Sequence, residues 1–270
     1  MHKYMDVSMH ILIVDMETGD RFKEIPSNVQ LYDLSIIRNN PTGEQIYQKY
    51  YKTSKDKFRW SSKPVFMMEL LTTNIDSLLY LDSDLYFFKD PSFLFDLLDR
   101  NNILLSPHFR CNDPSKDYRD YGRNNTHGLY NGGFVGARKN GIPALKWWAD
   151  ACEKVCEKNR KFGYYVDQSH LNLLPILFEE MGIIKHKGCN VANWNRITCP
   201  RSVSNGEVIL DDKDPLIFIH FTGDTVNGIL NGEDPLLLPY LQEYEENIRE
   251  AEPDFRFSEQ LPFWRKWIKF

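Results

Sequence analysis

Two aspartates stand close together at the end of an apolar run, and these residue types at this spacing are suited to binding a metal ion. Asp82 and Asp84 follow LLYL in the stretch LLYLDSDLYFFKD, residues 78–90. Burying an unpaired carboxylate is costly, so a strand does not carry two of them in its core without a partner. Alternate residues of an extended chain point to the same side. The pattern therefore predicts a site for a hard divalent cation, Mg²⁺ or Mn²⁺, at the mouth of a buried strand.

Short apolar runs bounded by turn residues predict the strands that would position such a site. They are HILIVD (10–15), LLYLDSD (78–84), NILLS (102–106), GGFVGAR (132–138), GIIKHKG (182–188) and LIFIHFTG (216–223). Longer helical patterns predict helices at Pro64–Thr73, Pro91–Leu98, Ile142–Glu157, Asp167–Glu180 and Pro235–Arg249. The alternation of strands with helices predicts an α/β fold with a mostly parallel central sheet flanked by helices. In such sheets, ligands bind beyond the carboxyl ends of the strands.

The length and composition of the chain limit the size of its core and the kinds of partner that it can bind. A chain of 270 residues that is 42% hydrophobic can bury a sizeable core. We find no repeat or long linker, so we expect one domain over residues 1–270. The formal charge of −5 argues against a nucleic-acid partner, because such proteins carry an excess of lysine and arginine.

The cysteines and the hydropathy pattern indicate the compartment. The chain has five cysteines, an odd number that favours a reducing, cytoplasmic setting over a disulfide scaffold. Cys152 and Cys156 lack the further Cys or His pairs that a zinc site needs. No window approaches the roughly 20 apolar residues of a membrane span. The segment FWRKWIKF (263–270) allows at most peripheral contact with an anionic membrane, and packing of its aromatic side chains on the domain is the favoured alternative.

Three further segments follow the Asp-Ser-Asp stretch in a fixed order: LYNGGFVGARKNG (129–141), VDQSHLNLL (166–174) and FIHFTG (218–223). Together they resemble the nucleotide-sugar-dependent glycosyltransferases of the GT-A fold, in particular glycosyltransferase family 8. The resemblance runs from Asp82 to Gly223. It implies transfer of a sugar, such as a hexose, from a nucleotide-diphosphate sugar, most of all a UDP-sugar. The acceptor would be a glycan or glycolipid, on the cytoplasmic side during surface-polysaccharide assembly.

The resemblance also implies roles for individual residues. Asp82, Asp84 and His220 would hold Mn²⁺ or Mg²⁺, and an imidazole beside two carboxylates suits Mn²⁺. Asp167 would contact the transferred sugar or the acceptor, as a base if the reaction inverts configuration. The residues expected to bind substrate are Arg59, Lys63, Asn131, Gly132, Gly133, Gln168, Asn190, Asn193, Trp194 and Gly223.

Several of these residues could have a purely structural role instead. His220 could be a core histidine, Asp167 a helix N-cap and the glycine pair a simple turn. The amides around Trp194 could belong to a polar loop that covers the core. Arg59 and Lys63 precede a predicted helix whose N-terminus would help to hold phosphate, but they could also be surface charges.

The chain departs from the family pattern at two places. Relatives begin with a strand and a helix for the base and ribose, and only then comes a strand like HILIVD, which here starts at His10. We therefore expect an N-terminally truncated domain without its first nucleotide-binding strand, or a pocket built otherwise, with Asp15 at a strand end nearby. The family's Lys-Pro-Trp ending is also absent after Gly223, which leaves the stereochemical outcome open.

Two alternative functions are considered. In a haloacid-dehalogenase-type phosphatase, Asp82 would be the nucleophile and Asp84 the general acid or base, with Asp211 and Asp212 as the later acidic pair. The position of the motif far from the N-terminus disfavours this alternative. A chain with an intact sugar pocket but an incomplete nucleotide site could instead bind carbohydrate without catalysis.

Overall fold

The computed structural model of the chain describes residues 4–15 and 25–259. The strands within these ranges are β1 (Met9–Leu12), β2 (Val29–Tyr32), β3 (Ser77–Leu81), β4 (Leu85–Phe87), β5 (Ile103–Pro107), β6 (Tyr130–Arg138), β7 (Lys158–Asn159), β8 (Tyr164–Tyr165), β9 (Met181–Ile183), β10 (Arg201–Ser204), β11 (Glu207–Leu210), β12 (Asp214–Pro215) and β13 (Phe218–His220). The α-helices are α1 (Ser35–Arg38), α2 (Pro41–Tyr50), α3 (Lys55–Leu71), α4 (Phe93–Leu98), α5 (Tyr118–Thr126), α6 (Ile142–Lys154), α7 (Leu174–Leu177), α8 (Gly223–Leu230) and α9 (Leu238–Arg249).

The chain divides into two compact units, each assembled from several stretches of sequence. Unit 1 comprises Met1–Leu81, Pro91–Ser106 and Arg123–Ile183, and unit 2 comprises Asp82–Asp90, Pro107–Gly122 and Ile184–Phe270. The two units alternate along the sequence, so no single cut of the chain would separate them. The assignment of residues 1–270 to one domain stays a prediction.

Unit 1 contains a four-stranded sheet in the order β3-β6-β5-β9. Strand β3 pairs antiparallel with β6, whereas β5 pairs parallel with β9. The sheet is therefore mixed, which corrects the prediction of a mostly parallel sheet. Apolar runs locate strands, but the direction of a strand depends on the connection that precedes it, which hydropathy does not report. A separate parallel pair, β1 with β2, belongs to the same unit.

Helix α3 begins well before the predicted start at Pro64. The Ser54 hydroxyl accepts a hydrogen bond from the backbone N–H of Lys57 at 3.3 Å, which caps the helix at its first turn. Pro64 lies inside the helix, and buried side chains such as Phe58 and Val65 continue on both sides of it. Burial of one helix face thus outweighs the local cost of the proline.

The predicted helix Asp167–Glu180 is replaced by a 3₁₀ segment, Gln168–Leu173, followed by the single turn of α7. Its apolar side chains do not share one buried face, since Ile176 is 77% exposed. Val166, just before the segment, has a φ of +49°, which strongly bends the entering chain. A long amphipathic helix does not form here because no continuous apolar stripe faces the core.

Unit 2 has its own core and two small sheets. Strands β10, β11 and β12 form an antiparallel sheet, and β4 pairs antiparallel with β13. An isolated parallel bridge joins Val191 to Ile219, so the chain before Val191 runs beside β13. The buried cluster around Val191, Ile219 and Phe221 includes apolar side chains from α8 and α9.

Other predictions concern the cysteines and the C-terminus. All five cysteines are buried and free, in agreement with the absence of a disulfide scaffold. The segment 263–270, for which membrane contact was considered, lies outside the described residues. Of the helices in the described ranges, none has the length and apolar content that a membrane crossing requires.

Two helical glycines should respond to alanine in opposite ways. A Cβ at Gly43, in α2, would lie 2.0 Å from the carbonyl oxygen of Ile37, whereas a Cβ at Gly122, in α5, would meet nothing within 4 Å. We expect Gly43→Ala to lower the free energy of unfolding by about 1–3 kcal/mol. Gly122→Ala should leave it unchanged or raise it by up to about 1 kcal/mol. Urea denaturation followed by circular dichroism measures both, and equal effects would contradict the packing described for Gly43.

Candidate metal centre and a buried ion pair

Asp82, Asp84 and His220 come together in unit 2. Each offers one ligand atom, and these atoms all lie within 4.8 Å of one another. The Nε2 atom of His220 lies 2.9 Å from Oδ1 of Asp84. Over residues 4–15 and 25–259, no other set of at least three His, Cys, Asp or Glu side chains is grouped this closely.

The backbone of unit 2 explains why these side chains meet. The register of β4 and β13 places His220 directly opposite Leu85, the neighbour of Asp84. The backbone N–H of Phe221 donates to the carbonyl oxygen of Asp84 at 2.8 Å. Asp82 reaches the cluster through a turn, in which the N–H of Leu85 donates to the Asp82 carbonyl at 3.2 Å. A turn thus brings the two carboxylates together. This finding corrects the sequence-based prediction that residues 82 and 84 lie on one side of an extended chain.

The donor set fits a divalent cation. His220 is only 4% exposed and its Nδ1 atom is buried without a hydrogen-bond partner, whereas the side chain of Asp84 is 39% exposed. Two adjacent carboxylates repel each other when both are ionised, and a divalent cation between them would offset that repulsion. Carboxylate oxygens match the ligand preferences of Mg²⁺ and Mn²⁺, and an imidazole nitrogen adds a donor that suits transition metals. These three residues can therefore hold such an ion.

Tyr244 forms part of the surroundings of this cluster and was not predicted from the sequence. Burial, followed by the negative charge of Asp84 and the nearby Tyr86, raises the pKa of Tyr244 to about 12. The ring stacks on Phe221 with 4.6 Å between centroids. The phenol therefore stays neutral at physiological pH and adds no further negative charge beside the carboxylates.

The segment that carries Trp194 is held by an arginine. The Arg201 guanidinium donates to the carbonyl oxygen of Ala192 at 2.8 Å and to Oδ1 of Asn195 at 2.9 Å. It also lies 3.0 Å from the carboxylate of Asp234, and both side chains are buried. Burial lowers the pKa of Arg201 and raises that of Asp234, while their mutual attraction opposes both changes. This pair fixes the conformation of residues 192–195.

The predicted substrate-binding residues Asn190 and Asn193 differ in the hydrogen bonds that their side chains make. The side-chain Oδ1 of Asn193 accepts a hydrogen bond from the Thr225 hydroxyl at 3.3 Å. Asn190 is fully buried with a φ of +58°, and neither its amide nitrogen nor its amide oxygen has a hydrogen-bond partner. Buried polar atoms are usually paired in native proteins, so the Asn190 amide is the more unusual of the two.

A second group of predicted residues lies in unit 1 around a buried ion pair. Lys63 Nζ is 3.3 Å from Oδ2 of Asp167, and both side chains are almost fully buried. The same ammonium group donates to the carbonyl oxygen of Gly132 at 3.0 Å. A Cβ at position 132 would lie 3.1 Å from the Asp167 carboxylate, so glycine permits the close approach of this strand. Asp167 occupies the N-cap position of its 3₁₀ segment but makes no capping hydrogen bond.

The amide side chains of this group bind backbone atoms. Gln168 accepts from the N–H of Gly132 at 2.9 Å and donates to the carbonyl oxygen of His127 at 2.6 Å. Asn131 accepts from the N–H of Gly133 at 2.9 Å. The hydrogen bonds of Gln168 tie β6 to the segment that follows Asp167, so Gln168 helps to shape the region around the ion pair.

Arg59 and Gly223 are two further residues of the predicted substrate site. Arg59 lies within α3, as does Lys63, so neither residue precedes the helix as the sequence suggested. The exposed Arg59 side chain pairs with Asp56. Gly223 is the first residue of α8, after Thr222, whose hydroxyl caps that helix.

The acidic pair required by the phosphatase alternative is not part of the cluster of Asp82, Asp84 and His220. Asp211 and Asp212 both have positive φ and occupy the turn between β11 and β12. Asp211 pairs with Lys187, and Asp212 accepts from the Ser202 hydroxyl at 2.8 Å. The turn conformation and these contacts thus give Asp211 and Asp212 a structural role.

Comparisons with known proteins give distant similarities. No protein-family model matches the chain. The uncharacterized protein YfnF of Bacillus subtilis (strain 168) is 28% identical over 236 residues, which cover 83% of this chain and 74% of YfnF. The uncharacterized protein YfnD of the same organism is 28% identical over 231 residues, 82% of this chain and 70% of YfnD. The resemblance to family 8 stays a prediction.

Two solved structures to which the chain is similar are glycosyltransferases. Mouse xyloside xylosyltransferase 1, in its apo form, has a TM-score of 0.49 and 13% identity, over 81% of this chain and 85% of that one. The glycosyltransferase GlyE of Streptococcus pneumoniae TIGR4 has a TM-score of 0.32 and 15% identity, over 67% of this chain and 46% of that one. Similarity at this level does not assign a substrate to the present chain.

The buried ion pair of unit 1 should be strongly coupled. Lys63→Met removes the ammonium group beside the buried Asp167 carboxylate, and we expect a loss of about 3–5 kcal/mol in the free energy of unfolding. In Lys63→Met/Asp167→Asn the loss should be smaller than the sum of the two single losses. Lys146→Met, which removes an exposed ion pair with Asp150, serves as the matched control and should cost less than about 1 kcal/mol. Urea denaturation measures all four variants, and additive losses would show that Lys63 and Asp167 are not coupled.

Proposed function

We propose that this protein is a metal-dependent glycosyltransferase that moves a sugar from a nucleotide-diphosphate sugar to a hydroxyl of a glycan or glycolipid. The observation that carries the proposal is the grouping of Asp82, Asp84 and His220 within 4.8 Å. The order of the Asp-Ser-Asp, Gly-Gly, Asp-Gln and His-X-X-Gly segments along the sequence supports it, as does the GT-A resemblance of those segments.

The proposed binding site for the donor includes the carboxylates of Asp82 and Asp84. Asp82 and Asp84 would hold Mn²⁺ or Mg²⁺ together with His220, and such an ion supplies positive charge that offsets the diphosphate of the donor and of the leaving nucleotide. The partial exposure of Asp84 leaves its carboxylate open to a ligand from solvent, whereas the buried His220 is held by β13. Gly223 opens a helix just after His220, and the N–H groups of a first helical turn attract phosphate.

The proposed sugar-contacting residues of unit 1 are Asp167, Asn131 and the Gly132-Gly133 pair. The carboxylate of Asp167 lies 3.3 Å from Lys63 Nζ, and a carboxylate accepts hydrogen bonds from sugar hydroxyls. In an inverting reaction the same carboxylate would accept the proton of the acceptor hydroxyl. We assign Lys63 and Gln168 to shaping this region, because their polar groups are bound within the protein.

The proposal also includes the other predicted substrate-binding residues. Asn190, Asn193 and Trp194 are proposed to contact the donor beside Asp82, Asp84 and His220, and Arg59 is proposed to contact the phosphates of the donor. UDP is the proposed nucleotide, and the proposed setting is the cytoplasmic side of surface-polysaccharide assembly. Nucleic acid is not a proposed partner, because the chain has a net charge of −5.

Calorimetric titration with UDP, with and without Mn²⁺, tests the donor site. We expect UDP to bind only when Mn²⁺ is present. Asp84→Asn keeps the shape of the side chain but removes its charge, so it should weaken Mn²⁺-dependent binding at least about tenfold. GDP titrated in the same way reports the choice of nucleotide.

Asp212→Asn is the matched control, because this aspartate is also acidic and belongs to the same unit but lies in the β11–β12 turn. It should bind UDP as the wild type does. Binding that Asp84→Asn leaves intact would overturn the assignment of the metal centre. A folded wild-type chain that binds carbohydrate but neither nucleotide would favour a non-catalytic carbohydrate-binding role.

A further inference from the structure

Trp194 contacts two histidine rings in unit 2. Its ring centroid is 5.4 Å from that of His220 and 5.3 Å from that of His108. The interplanar angles are 89° and 85°, so both contacts are edge-to-face. The guanidinium of Arg110 lies 6.0 Å from the centroid of the same indole. The indole thus packs against His220 and also has other neighbours within the protein.

The hydrogen bonds of His220 do not fix the orientation of its ring by themselves. The imidazole makes one polar contact, from Nε2 to Asp84, while Nδ1 is buried without a partner. Rotation of a histidine ring about its second side-chain torsion has a broad energy minimum. In metal sites the second ring nitrogen usually donates to a carbonyl or carboxylate group, and that hydrogen bond sets the orientation. Another contact must perform this task for His220.

We propose that Trp194 is a positioning residue that holds the His220 imidazole, by edge-to-face packing, in the orientation for binding a divalent cation. The inference rests on the metal centre of the proposed function. It gives Trp194 a different task from that of a floor for a sugar ring. The indole N–H is also buried and has no hydrogen-bond acceptor, so it is closed to a sugar hydroxyl in this conformation.

Trp194 is itself held firmly enough to orient a neighbour. The backbone on both sides of it is fixed by the Arg201 contacts to Ala192 and Asn195. His108, which also contacts the indole, is 2% exposed. Arg110 is paired with the buried carboxylate of Asp120 at 3.0 Å. Perpendicular packing of aromatic rings is also the arrangement that their charge distribution favours.

The test measures Mn²⁺ binding without any nucleotide. The full chain is titrated with Mn²⁺, and free Mn²⁺ is followed by electron paramagnetic resonance in the wild type, Trp194→Leu and Trp194→Phe. We expect Trp194→Leu to weaken Mn²⁺ binding about 10- to 100-fold, the range seen when outer contacts of metal ligands are lost. Trp194→Phe keeps an aromatic ring and should recover part of that loss. Trp147→Phe, in unit 1, should leave binding unchanged.

A second readout reports on His220 directly. Electron spin echo modulation detects an imidazole nitrogen bound to Mn²⁺, and this signal should be present in the wild type and reduced in Trp194→Leu. A mainly structural role for Trp194 would lower stability without removing the signal from the folded fraction. Circular dichroism checks folding, and Trp194→Met, with a flexible apolar side chain, replaces the leucine variant if that variant does not fold.

The outcomes separate this inference from the proposed function. If the wild type binds no Mn²⁺, or if Asp84→Asn leaves its binding intact, the metal centre fails and the inference fails with it. If Mn²⁺ binding depends on Asp84 but Trp194→Leu retains both wild-type affinity and the imidazole signal, the inference is wrong and the metal centre stands. Unchanged Mn²⁺ binding with weaker binding of UDP-glucose, the probe for the sugar, would instead identify Trp194 as a sugar contact.

Discussion

The antiparallel pairing of β4 with β13 is the constraint on which the candidate metal centre depends. Each strand has three residues, and the segments come from distant parts of the sequence. Their register sets His220 opposite Leu85, and the Phe221 N–H extends the pairing to the carbonyl of Asp84. A shift of one residue would turn the His220 side chain to the other face of the pair. The distance between imidazole and carboxylate is therefore a property of backbone register rather than of flexible side chains.

Two clusters of charged side chains in the protein differ in the atoms that they could offer to a cation. In unit 1, the ammonium group of Lys63 lies beside the carboxylate of Asp167, and both side chains are almost fully buried. In unit 2, Asp82, Asp84 and His220 each offer one ligand atom, and these atoms lie within 4.8 Å of one another. An ammonium group has only donors and cannot coordinate a metal ion. The set of ligand atoms, rather than the mere presence of acidic residues, thus distinguishes the candidate metal centre.

The sequence predicted those parts of the molecule that depend on local patterns. The apolar runs located β3, β5, β6 and β13, and the resemblance of four ordered segments to a known family predicted that Asp82, Asp84 and His220 come together. Strand direction was not predictable, because it depends on the connections between elements. The pairing of Lys63 with Asp167 also has no local signal, since it depends on how α3 packs against the segment after β8. The same holds for Tyr244, which the fold of unit 2 brings near Asp84.

The orientation of His220 illustrates how a buried ion pair can act on a metal ligand through packing. Arg201 and Asp234 attract each other in a buried setting, and the guanidinium uses its remaining N–H groups on the backbone around Trp194. A guanidinium suits this role because several donors extend in fixed directions from one plane. The fixed backbone then limits where the indole can lie, and the indole limits how the imidazole can turn. Since Nδ1 of His220 has no hydrogen bond of its own, this series of contacts replaces the hydrogen bond that usually orients a metal-binding histidine.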